Sequence, residues 1–325
     1  MLSDRPVEGM PRRTSRYARI RRRIHAWWEG IELPPEPAEP DPADQPLLLD
    51  TEAPPLEERD WPESAQERAK LWPIRRIEAA ELIWGRDCIL PGGAEYTMQL
   101  ATPLGLTPAL SLLDLAAGLG GGTRGLAESF GVWVTGLERD DDLATEGQDR
   151  SKRAKLDKKA PIRRFDPNDF ELKKRSFDCM FARESFYAVA DKQPFFATLQ
   201  RGLKDRGQLL FADYLLGPQP PGDAFGKWAE AERQPSYPMQ LDELTALLES
   251  LNFDCRIAQD DSEVYKTHVM AAWSRIAAEL QGGSIPRHLL GRVVEEAERW
   301  ARFVHVLNAG ELRFYRFHAF YRERK

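Results

Sequence analysis

The apolar residues between positions 111 and 214 fall into two alternating kinds of segment. Short apolar runs typical of buried strands are Leu112–Leu115, Val132–Leu137, Ile162–Phe165, Phe177–Ala182 and Gln208–Tyr214. Segments with helical spacing separate them, at Thr123–Phe130, 140–159 and 192–204. Strands that alternate with helices in this way predict a parallel sheet with helices on both faces.

The chain on either side of this region extends the same architecture. Helices are predicted at 63–84, with a break or bend at Pro73, and at Ala94–Ala101. Beyond residue 214 the pattern predicts a helix at 241–251, a strand at 253–258, helices over 262–308 and a last strand from Leu312. The predicted fold class is therefore α/β, a doubly wound, mostly parallel, seven-stranded Rossmann-like sheet. We expect the segments 217–240 and 262–308 to cover a substrate.

A basic amphipathic helix is predicted near the start of the chain, at residues 11–30. Its apolar residues recur at helical spacing on one face: Tyr17, Ile20, Ile24, Trp27 and Trp28. Arginines occupy most of the other sides. Such a helix can lie on an anionic membrane surface, or it can dock on its own domain or on a partner protein. The sequence leaves these alternatives open.

The composition changes abruptly after this helix. Residues 31–60 contain eight prolines and ten acidic residues against one arginine. A segment of this composition cannot bury a core, and it predicts an extended acidic linker. We therefore divide the chain into the helical segment 1–30, the linker 31–60 and one folded domain at 61–325.

Charge and cysteine content argue against several classes of protein. The net charge of −6 gives no overall case for a nucleic-acid partner. The cysteines Cys88, Cys179 and Cys255 are far apart, so neither a disulfide framework nor a metal site is expected. No apolar run is long enough to span a bilayer, and the N-terminus lacks a secretory apolar segment. A cytoplasmic location is expected, with peripheral attachment to the inner face of the membrane as an alternative.

Residues 111–138 form the first strand–turn–helix–strand unit of the predicted sheet. Asp114 lies inside the first strand, and glycines follow at positions 118, 120, 121 and 122. Glycines let the backbone turn sharply and let a ligand approach main-chain N–H groups. Glu138 ends the second strand, where an acid can accept hydrogen bonds from two ribose hydroxyls. The unit therefore predicts a site for a nucleotide-type cofactor.

Two cofactors are compatible with this unit. Residues 120–125 match the pattern G-x-G-x-x-G, which favours NAD. The acid in the strand favours S-adenosylmethionine (SAM), because Asp114-x-x-x-Gly118-x-Gly120 resembles the first motif of class I SAM-dependent methyltransferases. We weigh SAM above NAD, and also above a glycine-rich turn without a ligand.

Polar residues also gather where the predicted strands end. They are Asp114, Glu138, Asp166, Arg183–Tyr187 and Asp213–Tyr214. Ligands in parallel sheets bind at the carboxyl ends of the strands, so these residues are predicted to share one site.

Four longer motifs indicate a family. The segments WGRDCILPGGAE, LDLAAGLGGG, FDCMFARESFYA and LLFADY resemble motifs of the phosphoethanolamine methyltransferase branch of SAM-dependent methyltransferases, close to the quinone-biosynthesis type. The resemblance covers residues 80–325. It implies a class I Rossmann-like fold, SAM as cofactor, S-adenosylhomocysteine (SAH) as product, and methyl transfer to a small-molecule or lipid-headgroup acceptor, an amine above all.

The resemblance also implies how SAM is held. Ala116, Gly118 and Gly120 match the loop around the methionine moiety, which Asp114 helps to order. Glu138 matches the acid that binds the ribose. The acid that reads the adenine amino group and the arginine beside the cofactor correspond to Asp166 and Arg183, and the turn at Gly92-Gly93 corresponds to a lid.

The acceptor side departs from the family pattern. A tyrosine and a histidine that act together as a catalytic latch in the family correspond to Ala80 and Ala188 here. Glu184 keeps the acid that faces the amine in the family, and Tyr214 keeps the tyrosine that faces the phosphate. The resemblance therefore supports the cofactor more fully than it supports phosphoethanolamine as the acceptor.

We expect the acceptor chemistry to rest on Glu184, Tyr187 and Tyr214. Transfer from a sulfonium is an in-line displacement, so the protein mainly aligns the nucleophile, the methyl group and the sulfur. We hypothesise that Glu184 orients or deprotonates the acceptor while the two tyrosines line the pocket. The alternative roles are an ion pair between Glu184 and Arg183 and simple packing for Tyr187. A SAM-binding regulatory protein without catalysis is the alternative function, and an NAD-dependent oxidoreductase is a weaker one.

Overall fold

A computed structural model describes residues 70–323 of the chain. The helix predicted at 11–30, the linker at 31–60 and the first residues of the predicted domain lie outside the described residues. Within the described range, no helix is both long enough and apolar enough to cross a membrane.

A seven-stranded sheet forms the centre of residues 70–323, with the strand order β3-β2-β1-β4-β5-β7-β6. The strands are β1 Ser111–Asp114, β2 Trp133–Glu138, β3 Ile162–Arg164, β4 Phe177–Arg183, β5 Leu203–Leu216, β6 Phe253–Asp260 and β7 Leu312–Tyr321. The strands β1 to β5 pair in parallel, whereas β7 runs antiparallel to both β5 and β6. The predicted fold class, a mostly parallel seven-stranded Rossmann-like sheet, is confirmed.

Helices cover both faces of this sheet. They are α1 Ile74–Trp84, α2 Gly93–Ala101, α3 Gly121–Phe130, α4 Asp141–Arg153, α5 Lys192–Gly202, α6 Asp223–Ala231, α7 Leu241–Ser250, α8 Ser262–Gly282 and α9 Leu290–Ala309. Alternate residues of a strand point to opposite faces. Leu112 of β1 accordingly packs with α1, α3, α8 and α9, whereas Leu113 packs with α5 and α7.

The break predicted at Pro73 is observed, and one strand boundary differs from the sequence prediction. Pro73 precedes α1 as its N-cap, because a proline lacks the N–H that the helix interior needs. Strand β5 extends beyond the predicted 208–214, because β7 pairs with it from Gln208 as far as Leu216. The long β5 carries Asp213 and Tyr214 to the carboxyl edge of the sheet, where the candidate site lies.

Candidate functional site

Asp114 fixes the glycine-rich turn that follows β1. Its carboxylate accepts hydrogen bonds from the Thr123 hydroxyl at 2.6 Å and from the Ala116 N–H at 3.3 Å. The side chain is buried, and burial raises the pKa of its carboxyl group. Asp114 therefore connects the end of β1 to the first turn of α3 and sets the shape of the loop between them.

The glycines of this turn are needed for space as well as for conformation. Gly118 and Gly120 have φ angles of +53° and +81°, in the left-handed region that favours glycine. A Cβ atom on Gly121 would lie 2.5 Å from the carbonyl oxygen of Asp87. Only a glycine at this position allows residues 85–93, which we call the lid segment, to close over the turn.

Glu138 lies at the end of β2, next to the same turn. One carboxylate oxygen accepts from the Gly118 N–H at 2.8 Å, and the other accepts from the Asp140 N–H at 2.9 Å. Burial raises the pKa of Glu138 to about 7, although these two hydrogen bonds favour the ionised form. Glu138 therefore titrates near neutral pH and can respond to a ligand that donates hydrogen bonds.

Two adjoining cavities extend from this turn along the carboxyl edge of the sheet. The smaller, of about 40 Å³, lies between the glycine turn, the lid segment and α2. The larger, of about 110 Å³, runs from Gly118 and Glu138 to Glu184, Tyr187 and Tyr214. Lining residues shared by the two cavities are Ile89, Leu90, Ala116, Gly118 and Arg183. The arrangement forms a cleft with a glycine-lined end and a tyrosine-lined end.

Arg183, the last residue of β4, holds the lid segment in place. Its guanidinium donates to the Pro91 carbonyl at 2.8 Å and to the Thr97 hydroxyl at 2.8 Å. It also lies over the ring of Tyr96, 5.0 Å from the centroid. The Nε atom is buried and has no hydrogen-bond partner among the described residues. Arg183 therefore holds the lid segment and keeps one buried N–H donor without a partner.

Glu184 adopts an unusual backbone conformation beside Arg183. Its φ angle is +50°, which costs a residue with a Cβ atom about 1 kcal/mol. One carboxylate oxygen lies 3.3 Å from the Arg183 guanidinium, and the other accepts from the Tyr214 hydroxyl at 2.8 Å. Its pKa is raised by burial. A strained, buried carboxylate with a raised pKa is typical of functional sites.

The two tyrosines make different contacts at this end of the cleft. The Tyr214 hydroxyl lies 3.3 Å from the hydroxyl of Tyr265, which is close enough to Glu184 to lower the pKa of its carboxyl group in part. The Tyr187 hydroxyl donates to Glu232 at 3.2 Å and accepts from Gln234 at 2.8 Å. The two rings pack edge to face, 4.9 Å apart. Together they form a polar-edged aromatic wall beside Glu184.

The cleft brings together most of the residues proposed from the sequence. The proposed residues that line it are Asp114, Ala116, Gly118, Glu138, Arg183, Glu184, Tyr187 and Tyr214. Gly120 caps the start of α3 and lines neither cavity. Asp166 is exposed, accepts from the Asn168 N–H at 2.9 Å and likewise lines neither cavity.

Several residues of the site were not proposed from the sequence. Glu232, Gln234, Arg76 and Arg299 line the larger cavity, and Tyr265 contacts Glu184 from α8. These residues come from helices and a loop far from the glycine motif in sequence, and no local pattern marks them. In residues 70–323, histidine, cysteine and acidic side chains form no group that could hold a metal ion.

Comparisons with known proteins agree with this geometry. Residues 113–211 match the family model described as a methyltransferase domain. Phosphoethanolamine N-methyltransferase 1 of Zea mays is 26% identical over 189 residues, which cover 57% of this chain and 36% of the relative. Phosphoethanolamine N-methyltransferase 2 of Caenorhabditis elegans is 28% identical over 150 residues, which cover 46% and 34%. The chain thus spans about a third of the length of these curated relatives.

A solved structure supports the same fold. Haemonchus contortus phosphoethanolamine N-methyltransferase 2, in complex with phosphomonomethylethanolamine and SAH, superposes with a TM-score of 0.67 at 21% identity. The match covers 76% of this chain and 57% of that one. Residues 113–211 therefore match a methyltransferase domain, and the chain is similar to phosphoethanolamine N-methyltransferases in sequence and in fold.

Proposed function

We propose that this protein transfers a methyl group from SAM to an amine of a small-molecule or lipid-headgroup acceptor. The observation that carries the proposal is the cleft itself. Its glycine-lined end, with Asp114 and Glu138, adjoins an end where the buried Glu184 meets Tyr187 and Tyr214. This arrangement supports a cofactor site and an acceptor site that would lie side by side at the carboxyl edge of one sheet.

The residues at the glycine-lined end suit SAM. Glu138 offers a carboxylate to the ribose hydroxyls, and the unpartnered Arg183 Nε atom is available to a polar group of the ligand. The glycines leave room for a ligand against the main chain, and Asp114 holds that main chain in place. When bound, SAM would supply a methyl group that is already activated by its sulfonium. Asp166 and Gly120 do not line the cleft, so their contacts with SAM stay predictions from the sequence.

The other end of the cleft suits an amine acceptor. A protonated amine must lose its proton before it can attack, so a nearby carboxylate with a raised pKa is a suitable general base. Glu184 meets this description, because burial raises its pKa and its carboxylate lies in the larger cavity. Tyr187 and Tyr214 would orient the acceptor through their rings and hydroxyls. The proposed transfer therefore needs no catalytic histidine.

A SAM-binding protein without catalysis is the second candidate. The observation that favours it is that Ala80 and Ala188, which replace the latch of the family, are both buried in the apolar core. The hydroxyls of Tyr214 and Tyr265 lie against Glu184 instead. Turnover with any acceptor would rule this candidate out.

The experiment that tests the proposed function has two steps. Calorimetric titration of the purified chain with SAM and with SAH measures cofactor binding, and both are expected to bind at micromolar concentration. Incubation with SAM and a panel of amines and lipid headgroups, followed by quantification of SAH, then measures methyl transfer. Binding of both ligands with SAH formation for at least one amine is expected. Failure of both ligands to bind would refute the proposal.

The membrane contact proposed for residues 11–30 is tested separately. The full chain is expected to sediment with vesicles that contain anionic lipids, and a chain without residues 1–60 is expected to remain in solution. Equal sedimentation of the two chains would contradict a membrane role for this segment. Docking of the predicted basic helix on its own domain or on a partner protein would then be the remaining interpretations.

A further inference from the structure

The larger cavity contains a buried cluster of charges that the proposed transfer does not use. We call it the floor cluster, and its members are Arg76, Glu232, Glu296 and Arg299. The Arg76 and Glu296 side chains are each 5% exposed, and those of Glu232 and Arg299 are 7% and 15% exposed. Arg76, Glu232 and Arg299 line the cavity, so an acceptor would meet this cluster directly.

Every charge in the floor cluster is already neutralised within the protein. Arg76 donates to Glu296 at 2.8 Å, and Arg299 donates to the other oxygen of Glu296 at 3.1 Å. The remaining face of Arg299 donates to Glu232 at 3.0 Å. The second oxygen of Glu232 accepts from Tyr187, whose hydroxyl in turn accepts from Gln234. Glu232 is therefore held in place from both sides.

The position of Glu232 determines what Arg299 can bind. Arginine is the side chain best suited to a phosphate or carboxylate, because its guanidinium donates two parallel hydrogen bonds. Glu232 and Arg299 line the same cavity, so an anionic group of an acceptor would compete with the Glu232 carboxylate for Arg299. Displacement would leave the buried Glu232 carboxylate without its charged partner, with only the Tyr187 hydroxyl to stabilise it, which is strongly unfavourable.

The other arginines of the larger cavity do not offer an anionic group of the acceptor a better site than Arg299. Arg233 pairs with Glu295 at 2.8 Å, and both side chains are about a third to a half exposed, at the rim. Arg139 follows Glu138 directly, at the end of the cleft proposed for the cofactor. The two terminal nitrogens of Arg183 are occupied by Thr97, the lid segment and Glu184, which leaves a single buried Nε–H donor and no pair of parallel donors for a phosphate.

We propose that Glu232 is a specificity-determining residue that replaces a substrate phosphate, so that the acceptor is an amine with no anionic group at its other end. This inference rests on the proposed function. The acceptor proposed here differs from phosphoethanolamine, the phosphate-bearing acceptor in the names of the relatives. In this chain an internal carboxylate takes the position beside Arg299 that such a phosphate would need.

The test uses two acceptors that differ only in the phosphate, N-methylethanolamine and its phosphate ester, together with inorganic phosphate. Calorimetry on the SAH-saturated full chain compares the wild type with Glu232→Gln, which can keep the hydrogen bond to Tyr187 but removes one of the two carboxylates that pair with Arg299, leaving Glu296 as the other. The variant is expected to bind the phosphate ester and inorganic phosphate at least about tenfold more tightly than the wild type does, as one charge-assisted hydrogen bond allows. The double variant E232Q/R299M is expected to lose this gain.

Glu230→Gln is the matched control, because Glu230 is an exposed acid of α6, two residues before Glu232, and lines neither cavity. It removes the same charge and is expected to leave phosphate binding unchanged. The proposal is overturned if Glu232→Gln brings no gain, or if the wild type binds the phosphate ester more tightly than N-methylethanolamine. Should Glu232→Gln fail to fold, Glu232→Ala and the wild-type comparison of the two acceptors decide in the same way.

The outcomes separate this inference from the proposed function. If the wild type does not bind SAH, the proposed function fails, and titration with inorganic phosphate in the absence of SAH still tests the role of Glu232. If SAH binds normally and Glu232→Gln brings no gain, only the role of Glu232 fails.

Discussion

At the scale of single residues, three buried acids in one cleft have three different environments. Asp114 accepts hydrogen bonds from its own loop, Glu138 accepts from two main-chain N–H groups, and Glu184 contacts an arginine and two tyrosines. Burial raises the pKa of all three carboxyl groups, but the groups that contact them differ. The partners of Asp114 build the loop, whereas Glu138 and Glu184 face the larger cavity and can act on ligands.

We expect the affinity for SAM to rise between pH 6 and pH 8 because of Glu138. Its pKa of about 7 arises mainly from burial, with the Asp140 carboxylate raising it and Arg139 lowering it. Hydroxyl donors of a ribose favour the ionised form, so binding lowers this pKa and releases protons near pH 7. Calorimetry at pH 7 in buffers of different ionisation enthalpy measures the proton release. Proton uptake, or affinity that is independent of pH, would contradict the role of Glu138.

Glu138 gives the stability of the free protein the opposite pH dependence: stability falls as the pH rises, whereas the affinity for SAM increases. The folded state holds the Glu138 proton more tightly than the unfolded state, in which the pKa returns to the ordinary value of 4.5. The contribution of Glu138 to the free energy of unfolding is therefore greatest below pH 4.5 and is lost as the pH rises through about 7. Glu138→Gln is expected to remove both pH effects and to weaken SAM binding about tenfold, by roughly 1.4 kcal/mol.

Glu184→Gln is expected to lower kcat while leaving SAH affinity within about twofold of the wild type. A lost general base typically costs about 10²-fold or more in rate. Glutamine can retain the hydrogen bond from Tyr214, so the fold should persist. The measurement is SAH formation at saturating SAM with an acceptor found in the amine panel. Unchanged turnover in this variant would show that Glu184 serves only as an ion-pair partner of Arg183.

At the scale of elements, the lid segment is held by a network of charges that joins α1, α3 and α4. The Asp87 carboxylate pairs with Arg124 at 3.0 Å and with Arg150 at 2.6 Å. Arg150 also pairs with Glu81 of α1, and the Asp87 carbonyl accepts from the Gly121 N–H. Ile89 and Leu90 of this segment line both cavities, so a ligand bound in the cleft would lie against the segment.

Asp87→Asn is therefore expected to speed the dissociation of SAH by about five- to tenfold, because two charge-assisted contacts to the lid are weakened. Stopped-flow tryptophan fluorescence measures this rate. Arg153→Gln is the control, since Arg153 pairs with Glu146 of the same helix but is 67% exposed. Equal dissociation rates in the two variants would mean that these charges do not hold the lid.

At the scale of the whole molecule, periodicity predicted the fold because each strand and helix carries its own pattern. The five parallel strands, the helix that begins at the glycine turn and the final strand were all predicted near their observed positions. The acceptor end of the cleft was harder to predict. Arg76, Glu232 and Arg299 come from three separate elements, and their contacts depend on how α1, the region after α6 and α9 pack together. Local sequence patterns carry no information about such distant pairs.

The last strand is expected to be indispensable to this architecture, although it lies far from the cleft in sequence. Strand β7 occupies the space between β5 and β6, with register pairs from Gln208–Phe320 to Leu216–Leu312 on one side. Its Phe314, Phe317 and Ala319 side chains are fully buried. Removing residues 312–325 would leave two strands with unpaired main-chain groups and an open core on both faces. The shortened chain is therefore expected to show no cooperative melting and no SAH binding.

A deletion at the other end provides the contrast. All residues named as lining the two cavities lie between Leu71 and Arg299. A chain without residues 1–60 is expected to bind SAH as the full chain does, with a Tm lowered by no more than about 3 °C, or roughly 1 kcal/mol. Calorimetry and thermal melting on both deletions measure the difference. Loss of SAH binding on removal of residues 1–60 would show that the N-terminal segment contributes to the cleft, and the site would then extend beyond the domain described by residues 70–323.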